Sequence, residues 1–428
     1  MWRQKSSVTW MILLSLLAWG MFVQAAAGVE ISVWYYPSSV DLPAWRTLFR
    51  DFEAAHPEIQ LKLTQLPPST SQYQKLLTAI AAGTGPDVVV YFDRFNIINW
   101  AARNAISPID TYLQRAELHG TSFYPAAWQE VQYQGHTWAI PFETDVRVLF
   151  YNKTLFRRAG LDPDQPPHTW EELDRYAEQL TQVDDRGSYL QVGFIPWFAE
   201  GWFYTWAFTA GVDFYDPETE RFTFADDPNA IKALDWITSY ARRYDLNKLS
   251  RLTSMTILPG SDPAIRGRLA MLVAGNWVLR QFDRYAPQDV DFGVAPIPHP
   301  SWGETATWSG GHASFIPVGS RHPDEAWQLI HWISTGEANK RWNRETAHIP
   351  AIRELAQALY ADDPQMRVFL DGLEYSRPRP PVPVGGLLWD ELNRAVENAI
   401  HQRKFPEVAL QQAQEKVQRQ LDRILDRR

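Results

Sequence analysis

The chain has 428 residues, of which 45% are hydrophobic, with a formal charge of -9 and no cysteine. That length exceeds one ordinary core, so two lobes or domains are expected, and the apolar content excludes a disordered or fibrous chain. An acidic chain without a basic run argues against nucleic acid as a partner, and the missing cysteines exclude disulfides, thiolate metal sites and thiol nucleophiles.

The N-terminus carries Arg3 and Lys5, an apolar run from Val8 to Val23, then Ala25-Ala26-Ala27. A positive flank, an apolar core and a small-residue site read as a secretory signal peptide over residues 1–27. The competing reading is an uncleaved anchor, since Val8 to Ala27 reaches the roughly 20 residues a span needs. No later stretch is apolar enough to cross a bilayer, and no cysteine is present to carry a lipid anchor. A soluble, free periplasmic protein is expected.

Glu30 to Tyr36 alternates Ile31, Val33 and Tyr35 with Ser32 and Trp34, which predicts a strand. A helix is expected over Pro43 to His56, with Trp45, Leu48, Phe49 and Phe52 on one face and Pro57 as its stop. Ile59, Leu61 and Leu63 give a second strand, and Tyr73, Leu76, Leu77 and Ile80 a second helix. Asp87 to Phe92 is a continuous apolar run of the kind found in buried parallel strands. The alternation predicts an open α/β sheet flanked by helices. Ligands of such sheets sit beyond the carboxyl ends of the strands, so Trp34 to Asp41, Phe92 to Asn96 and Glu143 to Arg147 are the segments to watch.

A second α/β pattern runs from Leu149 to Val294. Glu171-Glu172 begins a helix there, with Thr169 as its cap. Breaks follow at Pro296-Ile297-Pro298, Ser309-Gly310-Gly311 and Arg377 through Gly386. Amphipathic helices are expected over Ala326 to Ile333 and from Glu407 to the C-terminus. Repeated breaks suggest that the backbone passes between the lobes more than once, as a hinge requires.

The blocks in this order resemble the extracellular solute-binding proteins of family 1, the maltose-binding-protein-like group. Gly83-Thr84-Gly85-Pro86-Asp87-Val88 is similar to that family's block ahead of a buried strand. Phe92-Asp93-Arg94-Phe95 resembles its sugar-contacting Asp-Arg pair. Pro141 to Lys153 resembles the first hinge and YNK turn, with Asp145 at the position of the sugar-binding acid. Gly275-Asn276-Trp277 is similar to the loop that supplies a stacking tryptophan, Ser309-Gly310-Gly311 to the glycine hinge, and Arg379 to Trp389 to the late cleft segment. Two departures bear on the ligand. Trp34 to Ser38 lacks the Asp-Lys pair of maltose-specific members, and His312 or Ala313 stands where a tryptophan is common.

The resemblance implies a two-lobed, periplasmic-binding-protein-like type II fold, each lobe an open, mostly parallel sheet flanked by helices, with several hinge crossings. The lobes are expected at residues 28–140 with 309–352, and 141–308 with 353–428. The implied function is capture of a mono- or oligosaccharide in an interlobe cleft and delivery to the permease subunits of an ABC transporter. A monomer without enzymatic activity, cofactor or metal is expected.

Among 20 tryptophans, Trp45, Trp170, Trp236 and Trp327 fall on apolar helix faces and read as core. Trp34, Trp202, Trp277, Trp308 and Trp389 sit beside Gly, Pro or polar turns, where cleft and core are equally open on the residues alone. A flat ring matches the C–H face of a pyranose. Asp93 and Arg94 are either a surface pair of little value or a strand-exit pair facing vicinal hydroxyls. Asp145 and Arg147 lie two apart on a strand and so share a face; Arg147 either contacts ligand or neutralises Asp145. Glu200 beside Trp202 reads as an acid with a stacking partner or as ordinary loop. Arg379 binds ligand, locks the closed state or forms a structural ion pair. Tyr36, Asp41, Gly311 and His312 complete the candidate contacts, with His299 and His312 read as loop residues.

No H-E-x-x-H pair, G-x-S-x-G elbow, Walker loop or G-x-G-x-x-G occurs. Three other readings remain at this point. A binder of glycerophosphodiesters or polyols would use Arg94, Arg147 and Arg379. A secreted glycoside hydrolase would use paired carboxylates. A protein-interaction module would bind no small solute.

Overall fold

A computed structural model of the chain describes residues 28–67, 70–253 and 260–426, and the expected signal peptide lies outside the described residues. Strand β1 (Val29–Tyr35) buries Ile31, Val33 and Tyr35 on one face, as its alternation predicts. Helix α1 (Leu42–Ala55) buries Trp45, Leu48, Phe49 and Phe52. Each such side chain taken from water contributes about 1.5–3 kcal/mol. Strand β2 (Ile59–Gln65), helix α2 (Thr70–Ala81) and strand β3 (Val88–Asp93) follow. Asp87, in the Gly-Pro-Asp block, accepts from the backbone N–H groups of Ser32 at 2.8 Å and Arg321 at 3.0 Å, which fastens the start of β3 to its neighbours.

The short helix α3 (Pro125–Gln129) leads to β4 (Ile140–Pro141), β5 (Glu143–Val146) and β6 (Val148–Asn152). Asn152 of the YNK turn then caps the next helix, accepting from Leu155 N–H at 2.9 Å. Helix α4 (Trp170–Gln179) starts at Thr169, whose hydroxyl accepts from Glu172 N–H at 3.1 Å. Helix α5 (Pro228–Arg243), strand β7 (Met271–Ala274), helix α6 (Trp277–Tyr285) and strand β8 (Phe292–Ala295) complete this region. The chain continues through β9 (Thr307–Gly310), β10 (His312–Phe315), α7 (Pro323–Ser334), α8 (Gly336–Thr346) and β11 (Ile349–Pro350). It ends with β12 (Ser376–Arg377), α9 (Gly385–Ile400) and α10 (Pro406–Leu425).

One sheet has the order β2-β1-β3-β10-β4, a second β7-β6-β8, and a third, at the hinge, β11-β5-β9-β12. β1 is parallel to β2 and β3, whereas β10 is antiparallel to β3 and β4. In the second sheet β6 is antiparallel to both neighbours. The expectation of mostly parallel sheets therefore holds for β1 to β3 and is corrected for the second lobe. The reason is direction of entry. β3 and β7 run toward the space between the lobes, while β6 and β10 start at the hinge and run away from it.

One apolar cluster joins Ile31, Trp45 and Phe52 to Ile330 and Trp342. Another joins Phe156, Leu173, Trp206 and Ile237 to Leu392, Leu410 and Val417. Each core draws on sequence segments separated by the other, so the backbone must cross repeatedly. Among the described residues no helix is long and apolar enough to cross a membrane.

Candidate functional site

β5 and β9 run side by side through the hinge, with Gly310 opposite Asp145 and Ser309 opposite Val146. Arg94, at the exit of β3, is wholly buried against them. Its Nη1 donates to Glu143 O at 2.7 Å, its Nη2 to Ser309 Oγ at 3.2 Å and to Gly310 O, and its Nε to Glu130 Oε2 at 3.0 Å. Gly311 has φ +127°, and a Cβ there would lie 2.6 Å from both Arg94 Nη1 and Glu143 O. Only glycine meets both conditions.

A cavity of about 670 Å³ opens beside these strands, beyond the carboxyl ends of β3 and β7. Arg147 lines it. Its Nη1 pairs with Asp145 Oδ1, and its Nη2 reaches Glu200 Oε2 at 2.9 Å. Glu200 Oε2 also accepts from Trp202 Nε1 at 3.1 Å, and Asp145 Oδ1 from Gly310 N–H at 2.8 Å. Burial alone would raise the Asp145 pKa; the charges of Arg147, Arg94 and His312 and the Gly310 bond outweigh it and hold the carboxyl below its ordinary value. It is an ionised acceptor, unsuited to giving up a proton.

Trp308 lies under the Arg147 guanidinium, with Cζ 3.4 Å from its ring centroid, and Trp277 flanks the same cation at 5.3 Å. Trp389 packs on Trp202 at 4.9 Å between centroids and on Trp308 at 5.8 Å. Three indoles thus form one continuous wall.

The opposite wall belongs to the first sheet. Asp93 accepts from the Tyr73 hydroxyl and lies 3.4 Å from His312 Nε2. His312 Nδ1 lies 2.6 Å from Glu143 Oε1, and its ring stacks on Tyr91 at 3.7 Å. Burial lowers the His312 pKa, but the Glu143 hydrogen bond and the charges of Glu143, Asp93 and Asp145 carry it above the ordinary value. Tyr91 has φ +59° at the register shift between β3 and β10, a conformation costing about 1–3 kcal/mol in a non-glycine residue. The Tyr91 hydroxyl reaches His348 Nε2 at 3.3 Å.

Helix α6 closes the rim, presenting Trp277, Arg280, Gln281, Arg284 and Tyr285 to the cavity. That is i, i+3, i+4, i+7, i+8 spacing, one helical face. Arg280 Nη1 donates to Glu345 O at 2.8 Å and lies 3.8 Å from Asp41 Oδ1. Asn276 Nδ2 donates to Ala347 O at 2.6 Å. These contacts join α6 to α8 and to the start of α1.

Of the candidate contacts, Tyr36, Asp41, Asp93, Asp145, Arg147, Glu200, Trp202, Trp277, Trp308, Gly311, His312, Arg379 and Trp389 line this one cavity. Two do not. Trp34 is half-buried beside Lys75 and packs against the apolar cluster around Leu76 and Phe92, because it points to the helix-covered face of β1. Arg94 is a hinge strut whose donors are taken by Glu130 and the crossing strands. His312 is in strand β10, not a loop. Sequence reasoning missed Tyr91, Phe95, His348 and the α6 face; the helical spacing after Trp277 was the signal for the last. It also missed Glu130, for which no local signal exists. Among the described residues no cluster of three His, Cys, Asp or Glu side chains could hold a metal.

The sequence profile of bacterial extracellular solute-binding proteins matches residues 36–340. A maltotriose-binding protein from Pyrococcus abyssi is 23% identical over 386 residues, covering 89% of this chain and 79% of that protein. The sn-glycerol-3-phosphate-binding periplasmic protein of Escherichia coli is 23% identical over 327 residues, covering 72% and 70%. The structure of CpMnBP1 with mannotriose bound has a TM-score of 0.82 and 30% identity, covering 91% of this chain and 100% of that one.

Proposed function

The chain belongs to the bacterial extracellular solute-binding proteins, and on that premise we propose that it captures a short oligosaccharide between its lobes and delivers it to an ABC transporter permease. The lobes in this reading are residues 28–140 with 309–352, and 141–308 with 353–428, exported to the periplasm behind a cleaved signal peptide. The observation that carries it is the cavity itself: the partly exposed indoles of Trp202 and Trp389 give flat surfaces for pyranose rings, and the ionised Asp145 together with Asp93 gives acceptors for hydroxyls. Its volume of about 670 Å³ falls within the ~300–1,000 Å³ of small-molecule sites. Mannotriose is the first ligand to try, given the likeness to a protein with that sugar bound.

Binding works by population shift. Contacts to Asp93 from one lobe and to Asp145, Arg147 and Trp389 beyond the hinge exist together only when the cleft is shut, so a ligand that touches both favours closure. A glycerophosphate ligand is the competing solute. It has less support, because Arg147 and Arg379 are already paired with Glu200 and Glu130. Thermal shift over manno- and gluco-oligosaccharides, polyols and glycerophosphodiesters distinguishes them. A ligand at 100 times its Kd adds about 2.7 kcal/mol of stability. Stabilisation by no saccharide would refute the sugar reading, and release of shortened sugars would refute pure binding.

A further inference from the structure

Glu130 lies behind the cavity wall, not on it. It follows α3 and is 2% exposed. Its Oε1 accepts from Arg379 Nε at 2.9 Å and from the Arg379 backbone N–H at 3.3 Å, and its Oε2 from Arg379 Nη2 at 3.3 Å. The same Oε2 accepts from Arg94 Nε at 3.0 Å. One carboxylate therefore ties the guanidinium that grips both crossing strands to a guanidinium that lines the cavity.

We propose that Glu130 is a positioning residue that sets ligand affinity by holding Arg379 at the cavity wall and fastening it to the hinge. This rests on the sugar-binding reading above. The fork uses Nε and Nη2 of Arg379, leaving Nη1 without a protein acceptor among the described residues. Phe95 and Trp308 flank the guanidinium, with Cζ 5.0 Å and 5.3 Å from their ring centroids, so its plane is fixed as well as its position. A donor held in this way contributes to binding without the ordering cost of a mobile arginine. Because Arg94 shares the carboxylate, any shift of β5 against β9 is passed through Glu130 to Arg379. Two buried cations and one carboxylate also explain why Glu130 is ionised: burial opposes its charge, and Arg379 and Arg94 outweigh burial and lower its pKa.

The test is a double-mutant cycle on the Kd of the best sugar from the wild-type screen. Glu130→Gln and Arg379→Met should each weaken binding roughly tenfold or more, and the double variant should be no weaker than the worse single one, within about threefold. A merely structural Glu130 would lower the melting temperature and leave Kd unchanged. Binding by Glu130→Gln within about threefold of wild type would overturn the proposal, as would losses that multiply in the double variant. If Glu130→Gln does not fold, Glu130→Asp keeps the charge on a shorter arm; a folded Asp variant with weakened Kd supports the proposal and an unchanged Kd overturns it. A wild-type protein that binds no sugar is a different failure, of the parent reading, and this proposal falls with it.

Discussion

Gly311→Ala is the sharpest perturbation of the hinge. The added methyl meets two costs. A φ of +127° lies outside the usual range for side-chain-bearing residues, which costs about 1–3 kcal/mol. The Cβ would also stand 2.6 Å from Arg94 Nη1 and from Glu143 O, so it must part a hydrogen bond of 2.7 Å that carries a charged donor, worth about 1.5–3 kcal/mol. Together these give a loss of about 2.5–6 kcal/mol. Gly319→Ala separates the two costs, because Gly319 has φ +84° with nothing within 4 Å of the added atom. Urea unfolding of both variants should place Gly311→Ala about 1.5–3 kcal/mol below Gly319→Ala. Equal losses in the two would refute the close approach of Arg94 to the second crossing strand.

Arg280→Ala should loosen the rim, since it removes the donor to Glu345 O and the charge opposite Asp41. Stopped-flow ligand release should quicken about 3–10-fold with a smaller effect on association, as side-chain losses at formed interfaces fall mainly on dissociation. His312 gives a pH signature. Its folded pKa is raised above the ordinary 6.5, so the folded state holds the proton more tightly than the unfolded one. Its contribution is fully present below that value and is lost as pH rises through the raised folded pKa. Stability against urea, measured from pH 6 to pH 9, should therefore fall more in the wild type than in His312→Gln; parallel curves would contradict the assignment.

Much of the site was legible because chemistry and spacing agreed locally. Asp145 and Arg147 are two apart at a strand-like crossing, and the structure brings their side chains together around one ion pair. Thr169, Asn152 and the Gly-Gly hinge announce themselves by residue type. What escaped depends on contacts between distant segments. Glu130 is 36 residues from Arg94 and 249 from Arg379, so nothing near it in the chain marks it. Arg94 reads as a ligand contact in the sequence because it follows Asp93 at a strand exit and the pair resembles the family's sugar-contacting Asp-Arg; in the structure the chain turns into a short helical segment there and the side chain points into the hinge. Strand direction in the second lobe was likewise invisible, because an apolar run reads the same in either direction.

In the proposed function, groups from both lobes hold the sugar between them. Titration calorimetry of the protein with mannotriose, or with the strongest ligand of the screen, should show saturable 1:1 binding. Asp93→Ala and Asp145→Ala, one on each side of the hinge, should each weaken it by about 10- to 100-fold. Unchanged affinity in both variants, or saturable binding to no saccharide at all, would contradict the account.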